Sequence, residues 1–268
     1  MHTVSADSDD SPSLATIDID ITDITKLQPS QLTRETLQTY IQALIKKHNT
    51  LSQKIIEDET NNNVEQIHAN TAQVQELEEL LNKLNELKQQ QDSELQRLIE
   101  EEQFAEIIQN LDKFIFVSHN QIAQQLIDKG QGWAVARNLD KFQGLDHNQI
   151  AQQLIASHYG DAVADNLDKF QGLDNTTAQK LIDTGQGFAV AKNLNKFQGL
   201  ECNNELAQKL IEAGGSYGVA DNLDKFQGLD NTTAQKLIAK GYRNAIANNL
   251  NSFQDLPAET MEQLNIYR

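Results

Sequence analysis

Six side chains suited to recognition recur at one place in a periodic stretch of the chain: Trp133, Tyr159, Phe188, Tyr217, Tyr242 and Arg243. Aromatic rings and guanidinium groups anchor protein interfaces, because each offers a large contact area, to which Tyr, Trp and Arg add a polar handle. The 268 residues include only 15 aromatics, so their concentration at one repeat position is informative. Asp161, two residues after Tyr159, joins them as a seventh candidate binding residue. Chemistry of bond making is much less visible. The histidines are His2, His48, His68, His119, His147 and His158, and no Ser-His-Asp or Cys-His grouping forms around them. His119 and His147 sit at equivalent repeat positions, which fits one repeated framework role. Asp and Glu are spread along the chain, whereas a metal site needs convergent ligands. The single cysteine, Cys202, excludes an internal disulfide framework and any CxxC zinc site. The expectation is a protein without enzymatic activity, cofactor or metal.

The elements that position the candidates are repeats. Asn-Leu-Asp-Lys-Phe occurs at 110–114, 138–142, 166–170 and 222–226, and returns as Asn193-Leu194-Asn195-Lys196-Phe197 and Asn249-Leu250-Asn251-Ser252-Phe253. The spacings of 28, 28, 27, 29 and 27 residues are those of a solenoid or array. Within the unit 145–172, Asp146 is a good N-cap, as are Asp174 and Asp230 in the same place. Ile150 and Leu154, then Ala151 and Ile155, follow four-residue spacing and predict a short amphipathic helix. A link such as Gly130-Gln131-Gly132 follows. A second helix is predicted through Trp133–Phe142, with Val135, Leu139 and Phe142 on one face and a left-handed cap at Gly144, repeated at Gly172, Gly199 and Gly228. One such hairpin cannot bury both faces, so neighbours must stack.

Two repeated polar features invite expectations. Asn110, Asn138, Asn166, Asn193, Asn222 and Asn249 suggest a ladder of amides bonded between adjacent hairpins. The preceding residues alternate in sign, which predicts ion pairs Arg137–Asp165 and Lys192–Asp221. The array spans about five hairpins between 115 and 253. A degenerate first repeat, with Glu102 and Phe104 replacing the link glycines, precedes it, and a half-repeat lid from Leu256 follows, with Asp255 replacing the closing glycine.

The array is the third of three parts. Residues 1–30 read as a disordered acidic tail whose Ile17-Asp18-Ile19-Asp20-Ile21 alternates like a strand. Residues 31–100 read as a coiled-coil helical hairpin: Leu37, Ile41, Leu44, Leu51 and Ile55 follow 3–4 spacing, with His48 in one seam place. Val74, Leu77, Leu81 and Leu84 resume it after the turn formers Asn61, Asn62 and Asn63. The competitor is a dimeric coiled coil, with self-association through that seam. Residues 101–268 form the helical-hairpin array with terminal caps. The fold class expected is all-α, a coiled-coil hairpin followed by a right-handed-type α-solenoid.

The formal charge is −17, which by itself argues against phosphate binding. Residues 1–114 hold 22 acids and 9 bases, whereas residues 115–253 hold 14 acids and 12 bases. The acidity therefore lies mainly outside the array, where Lys141, Lys169, Lys196 and Lys225 recur once per repeat. No apolar run reaches the ~20 residues that cross a bilayer, and no basic-then-apolar leader opens the sequence. A cytoplasmic protein is expected, or one exported into a host cell without a cleaved leader.

The pattern Leu145-Asp146-x-x-Gln149-Ile150, a Gly-containing link, then Ala-Val and Leu-Asp in the second helix resembles TALE-type DNA-binding repeats. In that family a variable pair between the helices faces one base. The repeats here are shorter, and the near-constant Gly-Gly after the variable pair is absent. A Gln/Asn-rich helical array joined to a coiled coil also resembles, in style, effectors that intracellular bacteria export. The function expected is a protein-interaction scaffold that binds through the edge or groove of the array. The alternative is a repeat protein that reads nucleic acid through its links.

Overall fold

The computed structural model describes residues 34–264; the tail 1–30 and its alternating Ile17–Ile21 segment lie outside the described residues. The chain is all-α, with fourteen α-helices among the described residues. It forms two compact units, one holding residues up to 95 together with 112–116, the other holding 96–111 and 117 onward.

In the first unit, α1 (Arg34–Thr60) and α2 (Val64–Glu100) form an antiparallel hairpin. Its turn is at Asn61–Asn63, where Asn62 takes a φ of 52°. The a/d spacing explains the packing: Leu44, Leu51 and Leu77 are buried together, with Val74, Leu80, Leu81 and Leu84 against them. The seam thus finds a partner helix inside the chain. Polar cross-links fix the register. Asn70 donates to Asp58 at 2.9 Å, and His48, the polar seam residue, lies 3.3 Å from Glu78.

The second unit takes in the last residues of α2, then α3 (Phe104–Gln109), and continues as five hairpins. Hairpin 1 is α4 (His119–Asp128) with α5 (Gly132–Arg137), and hairpin 2 is α6 (His147–Ala156) with α7 (Gly160–Asp165). Hairpin 3 is α8 (Asn175–Asp183) with α9 (Gly187–Lys192), and hairpin 4 is α10 (Asn204–Glu212) with α11 (Ser216–Asp221). Hairpin 5 is α12 (Asn231–Ala239) with α13 (Arg243–Asn248), and the single helix α14 (Ala258–Gln263) follows it. First helices pack on first helices (α4 on α6, α6 on α8, α10 on α12, α12 on α14). Second helices pack on second helices without a gap from α5 to α13. Each first helix buries the two four-residue pairs that its periodicity marked, such as Ile122, Ala123, Leu126 and Ile127. Each N-cap is filled: Ser118, Asp146, Asp174, Asn203 and Asp230 all accept a backbone N–H three residues on.

Each hairpin is also closed on itself. In hairpin 3 the residues before α8 pair in parallel with those after α9, as β1 (Leu173–Asp174) and β2 (Phe197–Gln198). Leu229 and Phe253 form the same bridge in hairpin 5, and Gln227 N–H reaches the Cys202 carbonyl in hairpin 4. In hairpins 1 and 2 a histidine does this work. His119 Nδ1 accepts Gln143 N–H at 2.7 Å, and His147 Nδ1 accepts Gln171 N–H at 3.1 Å. These two histidines stand in for a backbone ladder.

Three expectations are corrected. The second helix is not one rod of about ten residues: α5, α7, α9, α11 and α13 have six residues each, followed by a tight turn such as Leu139–Lys141. The break is at the recurrent Asn, whose side-chain amide donates to the carbonyl four residues back, as Asn138 does to Ala134 at 2.9 Å. An Asn that satisfies a helical carbonyl with its own side chain ends the helix there. For the same reason the amides do not form an inter-hairpin ladder. Only Asn222 also reaches the preceding hairpin, at Ala191 O, 3.2 Å away. Nor do Arg137–Asp165 and Lys192–Asp221 appear among the ion pairs of the described residues. Both cations lie instead over an aromatic ring one turn back, Arg137 over Trp133 at 5.3 Å and Lys192 over Phe188 at 5.8 Å.

Candidate functional site

The links place one aromatic per hairpin at the start of the second helix. It stands either just before the helix (Tyr159, Tyr242) or in its second position (Trp133, Phe188, Tyr217). Because second helices stack on second helices, the rings of hairpins 3, 4 and 5 fall in a row. Phe188 and Tyr217 have ring centroids 6.2 Å apart, and Tyr217 and Tyr242 6.4 Å apart. Phe188 is 46% exposed and Tyr217 49% exposed, the only large hydrophobic side chains of the array left so open among the described residues.

The other predicted residues divide by environment. Tyr159 is half-buried against the preceding hairpin: a Cβ on Gly132 would meet its ring at 2.2 Å, which is why a glycine opens α5. Its role is therefore at least partly packing. Trp133 is half-buried under Arg137. Asp161 is exposed, and its carboxylate accepts Ala162 N–H at 2.9 Å. Arg243 is exposed at the first position of α13, next to Tyr242. No ring contact joins Trp133 or Tyr159 to Phe188 among the described residues. The structure thus gathers Phe188, Tyr217 and Tyr242 into one surface and sets Trp133 and Tyr159 apart from it.

The recurrent lysines are partly committed to the framework. Lys169 donates to the Arg137 carbonyl and lies 3.4 Å from Asp140, and Lys196 donates to the Asp168 carbonyl at 3.3 Å. Lys141 and Lys225 are exposed. The Cys202 thiol is half-buried, and burial pushes its pKa up against the pull of Lys225, the opposite of an activated nucleophile. Among the described residues no group of three His, Cys, Asp or Glu side chains converges, and no helix is long and apolar enough to cross a membrane.

One polar device escapes the repeat consensus. Thr177, Thr233 and Thr260 occupy an apolar place of the first helix and are buried, and each hydroxyl donates at 2.7 Å to an Asn of the preceding hairpin: Asn148, Asn204 and Asn231. Asn148 and Asn204 also accept the N–H of Asp174 and Asp230 at 3.1 Å. The signal was present as Thr where Ile122, Ile150 and Leu206 stand in the other repeats. Compared with protein families, curated proteins and solved structures, the chain matches none.

Proposed function

We propose that this chain is a non-enzymatic interaction scaffold whose helical-hairpin array captures a protein partner along the row Phe188, Tyr217 and Tyr242. The observation that carries the reading is the row itself: adjacent rings on three consecutive hairpins, two of them half-exposed. An aromatic side chain buries 150–250 Å² when covered, so each half-open ring retains about 100 Å². Covering it is worth roughly 2–3 kcal/mol before the costs of association. Rings of this kind are where interfaces concentrate their energy. Arg243, next to Tyr242 at the first position of α13, borders the row.

The test replaces Phe188, Tyr217 and Tyr242 together by Ala in the full chain. Partner capture is lost while helicity, read by circular dichroism, is kept. Capture that survives the triple substitution moves the site elsewhere. The competing reading, sequence recognition of nucleic acid, is supported less, because two of the four recurrent lysines bond carbonyls of the neighbouring hairpin. A salt-dependent mobility shift with mixed DNA and RNA at low salt, lost in the triple variant, would replace the protein partner by nucleic acid.

A further inference from the structure

Three second helices share one design up to their last residue. α5 reads Gly132-Trp133-Ala134-Val135-Ala136-Arg137, α9 reads Gly187-Phe188-Ala189-Val190-Ala191-Lys192, and α11 reads Ser216-Tyr217-Gly218-Val219-Ala220-Asp221. In the first two, the cation four residues after the aromatic folds back over its ring, at 5.3 Å and 5.8 Å. Residues four apart share a helix face, so this contact follows from the spacing. Hairpin 4 has an aromatic ring in the same place, Tyr217, 49% exposed, but a carboxylate where the cation stands. Asp221 is exposed and enters no ion pair among the described residues. The Lys192 that sequence alone would assign to it is occupied by Phe188. Tyr217 is therefore a half-exposed ring flanked by Phe188 and Tyr242, with an acid four residues on along the same helix and, among the described residues, no cation over it.

We propose that hairpin 4 is a socket for an arginine side chain carried by a basic segment of the protein partner. The guanidinium lies over the Tyr217 ring and the Asp221 carboxylate meets its charge. Arginine fits better than lysine, because its planar group stacks on a ring and presents a fork of donors to a carboxylate at the same time. The proposal rests on the reading of the link row as a protein-binding surface and names what that surface selects. The array's own Arg137–Trp133 contact is the internal version of the same recognition.

The probe is an end-blocked Gly-Gly-Arg-Gly-Gly peptide, with citrulline and lysine analogues, titrated into the full chain carrying ring-labelled tyrosine. The Tyr217 signal is identified by its loss in Tyr217→Leu. The arginine peptide shifts that signal saturably, the lysine peptide does so more weakly, and the neutral citrulline peptide does not. Asp221→Asn weakens binding about two- to fivefold, the range of an exposed charge pair, and Asp221→Lys abolishes it. Both side chains are exposed, so the variants melt like the parent. Equal shifts with citrulline, or retained binding in Asp221→Lys, overturn the socket. Partner capture separates the two levels. Loss in the triple aromatic variant but retention in Asp221→Lys sinks the socket and leaves the surface. Retention in both sinks the surface first. Stronger capture by Asp221→Lys indicates an anionic partner and overturns the proposal.

Discussion

Asp174 and Asp230 each cap a helix and receive a neighbour. Their carboxylates accept the N–H of Thr177 and Thr233 at 2.8 Å, with further side-chain bonds from Asn148 and Gln208. Burial pushes both pKa values up, but the hydrogen bonds, led by the Thr177 and Thr233 backbone, outweigh it and hold both below the ordinary value. A depressed native pKa gives stability that is full above the unfolded value, near 3.9, and is lost as pH falls through the native one. The melting temperature should therefore fall on acidification below about pH 4, and the fall should be shallower in the Asp174→Asn, Asp230→Asn double variant. Parallel acid limbs in parent and variant would remove these two groups from the account. A second residue-scale prediction concerns His158. It takes a φ of 67° where Gly130, Gly185, Gly214 and Gly241 take 81° to 91° in their own repeats. A non-glycine residue there costs about 1–2 kcal/mol, part of which glycine gives back through its freer unfolded state. His158→Gly should stabilise the chain by about 0.5–1 kcal/mol, read from the denaturation midpoint. A lower midpoint would mean that the imidazole makes a contact worth more than the strain.

At the scale of the element, much was legible. The first helices, their caps, the hairpin turn at Asn61–Asn63 and the left-handed glycines follow from spacing and residue type, and Gly144, Gly172, Gly199 and Gly228 all have φ between 62° and 71°. The second helices were misread for a physical reason. Val135, Leu139 and Phe142 keep one buried face across an α-helical turn and the tighter turn after it, so apolar periodicity does not register the change. The Asn that makes the break was visible, but its i−4 carbonyl competes with a neighbour's, and sequence does not rank the two. Likewise, alternating signs at Arg137, Asp165, Lys192 and Asp221 suggested pairs between helices, whereas an aromatic one turn away on the same helix costs less ordering to reach. Gly218 shows where repeat comparison itself misleads. Four other second helices hold Ala at this place (Ala134, Ala162, Ala189 and Ala245), so Gly218→Ala reads as a gain of helix propensity, up to about 1 kcal/mol. Yet a Cβ there would lie 2.6 Å from Ala191 Cβ and 3.1 Å from the Ala191 backbone carbon. Overpacking costs about 1–3 kcal/mol, so Gly218→Ala should destabilise. An unchanged or higher urea midpoint would show that α9 and α11 separate freely.

Over the whole molecule, near-identical repeats conceal unequal junctions. The formal charge of −17 belongs mostly to residues 1–114, and the array that carries the candidate surface is close to neutral. Within the array, the Asn–Thr bond ties hairpin 2 to 3, hairpin 4 to 5, and hairpin 5 to α14. Between hairpins 1 and 2 its place is taken by Ile150, and the first helices of these two hairpins each bury a glutamine oxygen without a hydrogen-bond partner, Gln125 Oε1 and Gln153 Oε1. In a stacked array each repeat answers mainly to its neighbours, so such differences stay local. Removing one partner of a buried hydrogen bond leaves the other unsatisfied, at about 1–3 kcal/mol, whereas replacing both by apolar groups of similar shape is nearly neutral. Asn148→Ala strands the Thr177 hydroxyl and the Asp174 N–H. It should speed amide hydrogen exchange in α8 and leave α12 unchanged, and Asn204→Ala should do the reverse. Thr177→Val in the Asn148→Ala background should recover part of the loss, because the stranded hydroxyl is gone while the Asp174 N–H is still unpaired. Faster exchange spread evenly over all five hairpins would mean that the array unfolds as one cooperative block, with no junction weaker than the next.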